Sequence, residues 1–378
     1  MLRVRRSSLL LAFCTAVVLA YSFGHLYLFG EALNEGSWQD TKGVTRIIIP
    51  DTLFYLQIAR GESLAAVLQA AGAKNSFGPS MVWWVFDHSW HAVAVFNAVC
   101  FLFLLIYTRK LITFLNRDQR AEFNTICPIL TFVCCYYAVG SLKEIPTLLG
   151  FTAFVYHFLG RQNVKALLWF GFLILFRFQF AYLVIPAYLI TKVRRNPLPM
   201  ALGALLAFGA LFPLFGLMAV FTPEAVSSFR GGAAPTGGFV GTQLEYIRGS
   251  IFGLSLFAIL IRIIQTILEP LIQLLNTRSV FEAGSLSLYQ LHSILTLLIM
   301  APAWMVLFSN RLWPKAGSSG DDAKFGTLYA FVAISVFAYG GTGLISSRFM
   351  VPVYALVLVA ARVDSPSGRP LGIGRSAA

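Results

Sequence analysis

The sequence predicts an all-α protein: a polytopic transmembrane bundle of about nine to eleven membrane helices, some short or broken, with amphipathic helices at the outer face. Three observations predict it. The chain is 57% hydrophobic, with a mean hydropathy of +0.73. Only 12% of its 378 residues are charged, about half of what a soluble protein of this length carries. Runs of roughly 18 or more apolar residues recur, each long enough to cross a hydrocarbon layer of about 30 Å.

Charge at the ends of these runs orders them. Arg3, Arg5 and Arg6 precede the run from Ser7 to Phe29. That run is too long for a signal-peptide core and no A-x-A-like cleavage site closes it, so it reads as an uncleaved first span with a cytoplasmic N-terminus. It delivers a first outer loop, 30–79. Trp83 to Tyr107 returns, and TRKLITFLNRDQR, with Arg109, Lys110, Arg117 and Arg120, marks the cytoplasm. Phe123 to Gly140 runs out, SLKEIP turns outside, and Pro146 to Gly160 runs in to Arg161 and Lys165.

Residues 166–190, ALLWFGFLILFRFQFAYLVIPAYLI, admit two readings. One is a single span with Arg177 in its middle, which closes the topology if 251–272 is also a span. The other, preferred, is a hairpin of two short helices with Arg177 near the outer turn, which keeps Lys192, Arg194 and Arg195 inside. Residues 198–221 then run out to a second outer segment, 222–284, holding FRGGAAPTGGFVGT and IRIIQTILEPLIQLL. In the latter, Arg262, Gln265 and Glu269 form a polar stripe at helical spacing, as on a helix in the interface or lining a cavity. Ser285 to Phe308 runs in, Gly326 to Tyr339 out, GGTGLISSR turns outside, and Phe349 to Ala361 returns. Residues 1–362 thus read as one transmembrane domain, and 363–378, VDSPSGRPLGIGRSAA, as a disordered cytoplasmic tail. Both readings of 166–190 put Asp51, Glu144 and Arg348 on the same outer side.

Composition narrows the function classes. The net charge of +13 sits in clusters at span ends, where the positive-inside bias accounts for it without nucleic acid. The five cysteines all fall in apolar runs, with neither a disulfide framework nor metal-ligand spacing. The short cytoplasmic loops hold no Walker loop and no dinucleotide fingerprint. Chemistry, if the chain performs it, belongs at the outer face and needs a substrate activated beforehand, such as a sugar linked to a lipid phosphate in the bilayer. Such a transfer needs a carboxylate to take the proton of an acceptor hydroxyl, cations for the phosphate leaving group and an apolar groove for the lipid.

Asp51, in IIIPDTLFYLQIARG, is the candidate base, at the start of a predicted amphipathic helix with Tyr55 one turn on; an aspartate there also serves as an N-cap. Lys143 and Glu144 stand at the outer end of a span, as a phosphate ligand with its partner or a second acid, or as a snorkelling pair. Arg177 interrupts an apolar stretch, where an ionisable group marks a functional site or a headgroup contact. Arg348 follows a glycine-rich turn that would let backbone approach a ligand. His88 and His91, around Trp90, and Arg262 with Glu269 are weaker candidates. No metal site or cofactor is read from these residues. His157 and His292 are isolated and read as structural.

With those residues placed, the chain resembles GT-C-type membrane glycosyltransferases, and is similar to the polymerases of bacterial surface polysaccharides that share features of that architecture. The resemblance rests on PDTLFYLQIARG, on NSFGPSMVWWVFDHSWHAVAVFNAVCFLFLLIYTRK, on FGFLILFRFQFAYLVIPAYLI with its central arginine, and on GGTGLISSRFMVPVYALVLVAA. It implies a cell inner-membrane enzyme that moves a sugar from a polyprenyl-phosphate-linked donor to a glycan or lipid acceptor. Asp51 would be the base, and Lys143, Arg177 and Arg348 ligands of phosphate or sugar. Thr52 follows Asp51 where many members carry a second acid, and there is no large soluble outer domain, which leaves subfamily and acceptor open. A polymerase of lipid-linked repeat units is the neighbouring alternative. A transporter or flippase of lipid-linked glycans is the non-enzymatic one, although the paired broken helices usual in transporters are not evident.

Overall fold

The computed structural model describes residues 6–35, 51–71, 76–140, 143–177, 180, 263–264, 267–268, 271, 288–311, 322–341 and 347–364. All secondary structure among them is helical. In chain order these are α1 (Arg6–Glu35), α2 (Asp51–Ala59), α3 (Leu64–Ala71), α4 (Phe77–Val85), α5 (Trp90–Leu115), a 3₁₀ turn (Arg117–Glu122), α6 (Phe123–Gly140), α7 (Glu144–Leu159) and α8 (Asn163–Phe176). Then follow α9 (Leu288–Val306), a π turn (Leu307–Arg311), α10 (Asp322–Gly341), a 3₁₀ turn (Ser347–Val353) and α11 (Tyr354–Arg362). Four of the described segments are long and apolar enough to cross a membrane: Ser8–Phe29, Trp90–Leu115, Arg117–Val139 and Leu291–Ser309. The described chain is thus a helical protein with several candidate spans. The glycine-rich loop, Arg262, Gln265 and Glu269, and residues 365–378 lie outside the described residues.

Four hydroxyls on these helices are satisfied by their own helix, as an apolar surrounding favours. Thr15 donates to Leu11 O at 2.9 Å, Ser22 to Val18 O at 2.8 Å, Thr131 to Cys127 O at 2.8 Å and Thr152 to Leu148 O at 2.8 Å. Each hydroxyl folds back on the preceding turn, so these residues break up the apolar sequence without exposing a donor.

Several boundaries differ from the sequence expectation. α1 runs on to Glu35, so the first connecting segment starts later than Gly30. The expected span from Trp83 is two helices, because Asp87 (φ 48°) and His88 (φ 60°) adopt the left-handed conformation that closes a helix. His88 N donates to Trp83 O at 2.9 Å to end α4, and the Ser89 hydroxyl accepts from Ala92 N at 3.3 Å to begin α5. α8 stops at Phe176, and Arg177 follows with φ −145° and ψ 89°. One unbroken helix over 166–190 is therefore excluded. The tail starts later than Val363, which is buried. Asp364 is held by a reciprocal pair with Gln119, N to Oε1 at 2.6 Å and Nε2 to Oδ2 at 3.2 Å.

α2 also departs from expectation: it is not amphipathic. Leu53 packs with Leu26, Ala94 and Val139, whereas Tyr55, Leu56 and Ala59 pack with Val82, Trp83, Val93 and Phe176. The helix is wedged between two apolar clusters, so it needs apolar residues on two sides. Each cluster draws on several helices and fixes where α2 begins.

α7 and α11 are buried along most of their length. A helix that is apolar all round belongs inside a bundle, and both join the main core through residues such as Phe151, Val155, Leu356 and Val359. α4 meets α8 closely at Gly78, where a β-carbon would stand 2.5 Å from the Leu175 carbonyl oxygen. Without water to drive helices together in a membrane, such close packing carries much of the association energy. These contacts bring the start of α7, the end of α8 and α2 into one neighbourhood.

Candidate functional site

Four candidates from different parts of the sequence form one buried group. Lys143 caps α7 and Glu144 begins it. An acidic residue in a first helical turn is favoured by the helix dipole, which fits Glu144 at this position. The Lys143 carbonyl accepts both the Thr147 amide, at 3.0 Å, and the Thr147 hydroxyl. The turn is thereby fixed, and two adjacent side chains of opposite charge leave in separate directions.

Lys143 reaches α2. Its Nζ donates to the Tyr55 hydroxyl and lies 5.1 Å from the ring centroid. The ammonium meets the oxygen end of the ring rather than its face, so the contact is a hydrogen bond first. Tyr55 is itself buried and held by the cluster around Trp83. Trp83 stands edge-on to Trp90 with centroids 4.7 Å apart.

Glu144 reaches the end of α8. Arg177 Nη2 donates to Glu144 Oε1 at 3.2 Å, with side-chain exposures of 1% and 0%. Arg177 can do so because its backbone has left the helix. The second carboxylate oxygen, Oε2, is buried with no hydrogen-bond donor among the described residues. Two buried cations thus stand near the start of α7, Lys143 bonded to Tyr55 and Arg177 to Glu144. Breaking a buried pair of this kind costs about 3–5 kcal/mol, since the remaining charge is stranded.

Asp51 is the first residue of α2, one turn before Tyr55. Arg348 is half-buried on the 3₁₀ turn Ser347–Val353, which packs on α7, and it is engaged with neighbouring groups. The histidines go elsewhere. His88 Nε2 is 2.9 Å from Ala59 O, tying the α4–α5 break to the end of α2. His91 is exposed and lies against Phe23 with centroids 5.7 Å apart. Among the described residues no three His, Cys, Asp or Glu side chains are grouped as a metal site needs. His157 binds Gln162 at 2.8 Å across the α7–α8 turn, and His292 stacks on Tyr136; both have structural surroundings.

Sequence reasoning overlooked two contributors. Gly78 sits in a Gly-Pro dipeptide, which signals a turn; its actual use is the close approach of α4 to α8. Thr147, one turn into α7, fixes the Lys143 carbonyl. A threonine inside an apolar run offers no sign of that.

Comparison of the chain with protein-family models, with curated proteins and with solved structures gives no match.

Proposed function

We propose that the chain is a glycosyltransferase of the cell inner membrane, moving a sugar from a polyprenyl-phosphate-linked donor to a glycan or lipid acceptor at the outer face, in exopolysaccharide or surface-glycan assembly. The observation that carries this reading is the enclosure of two cations near the start of α7. Lys143 is bonded to Tyr55 of the helix that Asp51 begins, and Arg177 to Glu144. Enclosed cations are suited to an anionic leaving group.

In this reading Asp51 accepts the proton of the acceptor hydroxyl. The acceptor oxygen bonds to the sugar's anomeric carbon, and the bond from that carbon to the phosphate oxygen breaks. The polyprenyl phosphate departs with the electron pair. Arg177 and Lys143 hold its charge, and Arg348 binds phosphate or sugar chain. Glu144 keeps Arg177 in position before the donor arrives and competes with the phosphate for it.

The deciding experiment is Asp51→Asn at matched expression, with transfer measured from a synthetic polyprenyl-phosphate sugar and glycan output followed in cells. Loss of both is expected. Transfer at the wild-type rate removes the base assignment. A ladder of product lengths would assign the chain to the polymerases of lipid-linked repeats.

The near-complete enclosure of Glu144 and Arg177 favours a second reading, a transporter or flippase, in which buried charges line a substrate path. It predicts the opposite pattern: tolerance of Asp51→Asn and loss of export in Glu144→Gln.

A further inference from the structure

Away from that constellation, the far end of α7 holds a second feature. Tyr156 lies twelve residues beyond Glu144 on the same helix, about 18 Å along its axis. There a groove of about 400 Å³ opens between α1, α5 and α7. Leu11, Ile106, Phe114 and Tyr156 form apolar walls, Arg109 and Lys110 supply positive charge, and no acidic residue among the described ones lines it.

The two cations have no acidic partner at ion-pair distance among the described residues. Two acids beyond the end of α5 are engaged elsewhere: Glu122 stands 3.7 Å from Arg362, and Asp364 accepts from Gln119 at 3.2 Å. Lys110 Nζ instead lies 5.0 Å from the Tyr107 ring centroid. Lys324 lies 4.9 Å from the Phe114 centroid on the groove's aromatic rim. The Thr113 hydroxyl is turned onto Arg109 O at 2.9 Å, so it does not compete for a ligand. Leu9 and Phe13 on α1 and Phe103 on α5 are exposed nearby in the sequence of the same helices, so the groove adjoins surface suited to acyl chains.

We propose that this groove binds an anionic phospholipid of the leaflet at the basic end of the bundle, the inner leaflet under the positive-inside asymmetry. Arg109 and Lys110 receive the phosphate, and the apolar walls receive the upper acyl carbons. Charge complementarity selects the headgroup, and the apolar walls select a lipid over a soluble anion. Basic clefts between membrane helices recognise acidic lipids in this way.

The test uses the full chain in detergent, titrated with phosphatidylglycerol or phosphatidylcholine of identical acyl chains and read by native mass spectrometry. Phosphatidylglycerol is expected to bind in preference. Arg109→Gln with Lys110→Gln should reduce that preference about 30-fold, as removal of two surface cations would. Arg109→Lys with Lys110→Arg should retain it, which separates charge from folding. Arg117→Gln with Arg120→Gln, outside the groove, should leave it unchanged. Equal binding of the two lipids overturns the proposal, as does an equal loss in the Arg117/Arg120 control. Displacement of phosphatidylglycerol by millimolar inorganic phosphate also overturns it, by assigning the groove to a soluble anion.

Discussion

Arg177 Nη2 stands 3.2 Å from Glu144 Oε1, joining the residue after α8 to the first residue of α7 with both side chains closed to solvent. α7 and α8 are consecutive, and this pair clasps the ends opposite their connecting turn. The pair sets how far the two helices can separate where the candidate site lies.

Arg177→Met strands the Glu144 carboxylate. A loss of about 3–5 kcal/mol is expected in reversible unfolding in mixed micelles. The double variant with Glu144→Gln should recover a substantial part, because neither charge then remains unpaired. A double variant no better than Arg177→Met would show that the pair is not a unit.

Glu144→Gln keeps the shape of the side chain and removes its charge. Under the proposed transfer, a donor phosphate then meets less competition for Arg177. Stability should fall while KM for the polyprenyl-phosphate donor decreases. An increase in KM would mean that Glu144 helps bind the donor instead.

Tyr55→Phe removes the hydroxyl that Lys143 donates to. Hydrogen bonds to charged groups are worth about 1.5–3 kcal/mol, and a loss of that size is expected. In a cycle with Lys143→Met the two losses should not add, since each variant breaks the same contact. Additive losses would separate the two residues.

Gly78→Ala places a β-carbon 2.5 Å from Leu175 O and 2.9 Å from its carbonyl carbon. These are backbone atoms, so α4 must move away from α8, at about 1–3 kcal/mol. Gly171→Ala on α8 meets nothing within 4 Å and should be neutral or slightly stabilising. Thermal unfolding of the two variants side by side checks this pair.

His88→Ala loses the bond to Ala59 O at 2.9 Å and should destabilise by about 1 kcal/mol. His91→Ala, which leaves only a ring contact, should cost less. Comparable midpoints in a denaturation series would contradict the assignment of His88 as the tie between α2 and the α4–α5 break.

Helix class and several helix limits were legible in the sequence because apolar run length is a strong, local signal. Phe123–Gly140 begins and ends where the charges predict. The split at Asp87 and His88 was not legible, since left-handed backbone is a matter of two dihedral pairs inside an apolar stretch. The wedged character of α2 was also hidden, because the second apolar cluster is supplied by helices remote in sequence. At the candidate site, the ionisable residues could be recognised by their cost in an apolar chain. Their pairing could not: proximity of residues 55 and 143, and of 144 and 177, depends on how α2, α7 and α8 pack.

α11 is enclosed on nearly every side, yet it follows every other described helix in the chain. During synthesis the earlier helices therefore emerge before this buried partner exists. The half-built bundle lacks one buried nine-residue helix, whose neighbours are α5, α6, α7, α9 and α10. Lateral closure waits for the final segment, and the Gln119–Asp364 clasp can form only then. Chains halted before Ser347 should be open assemblies, prone to capture by lipid or by membrane quality control.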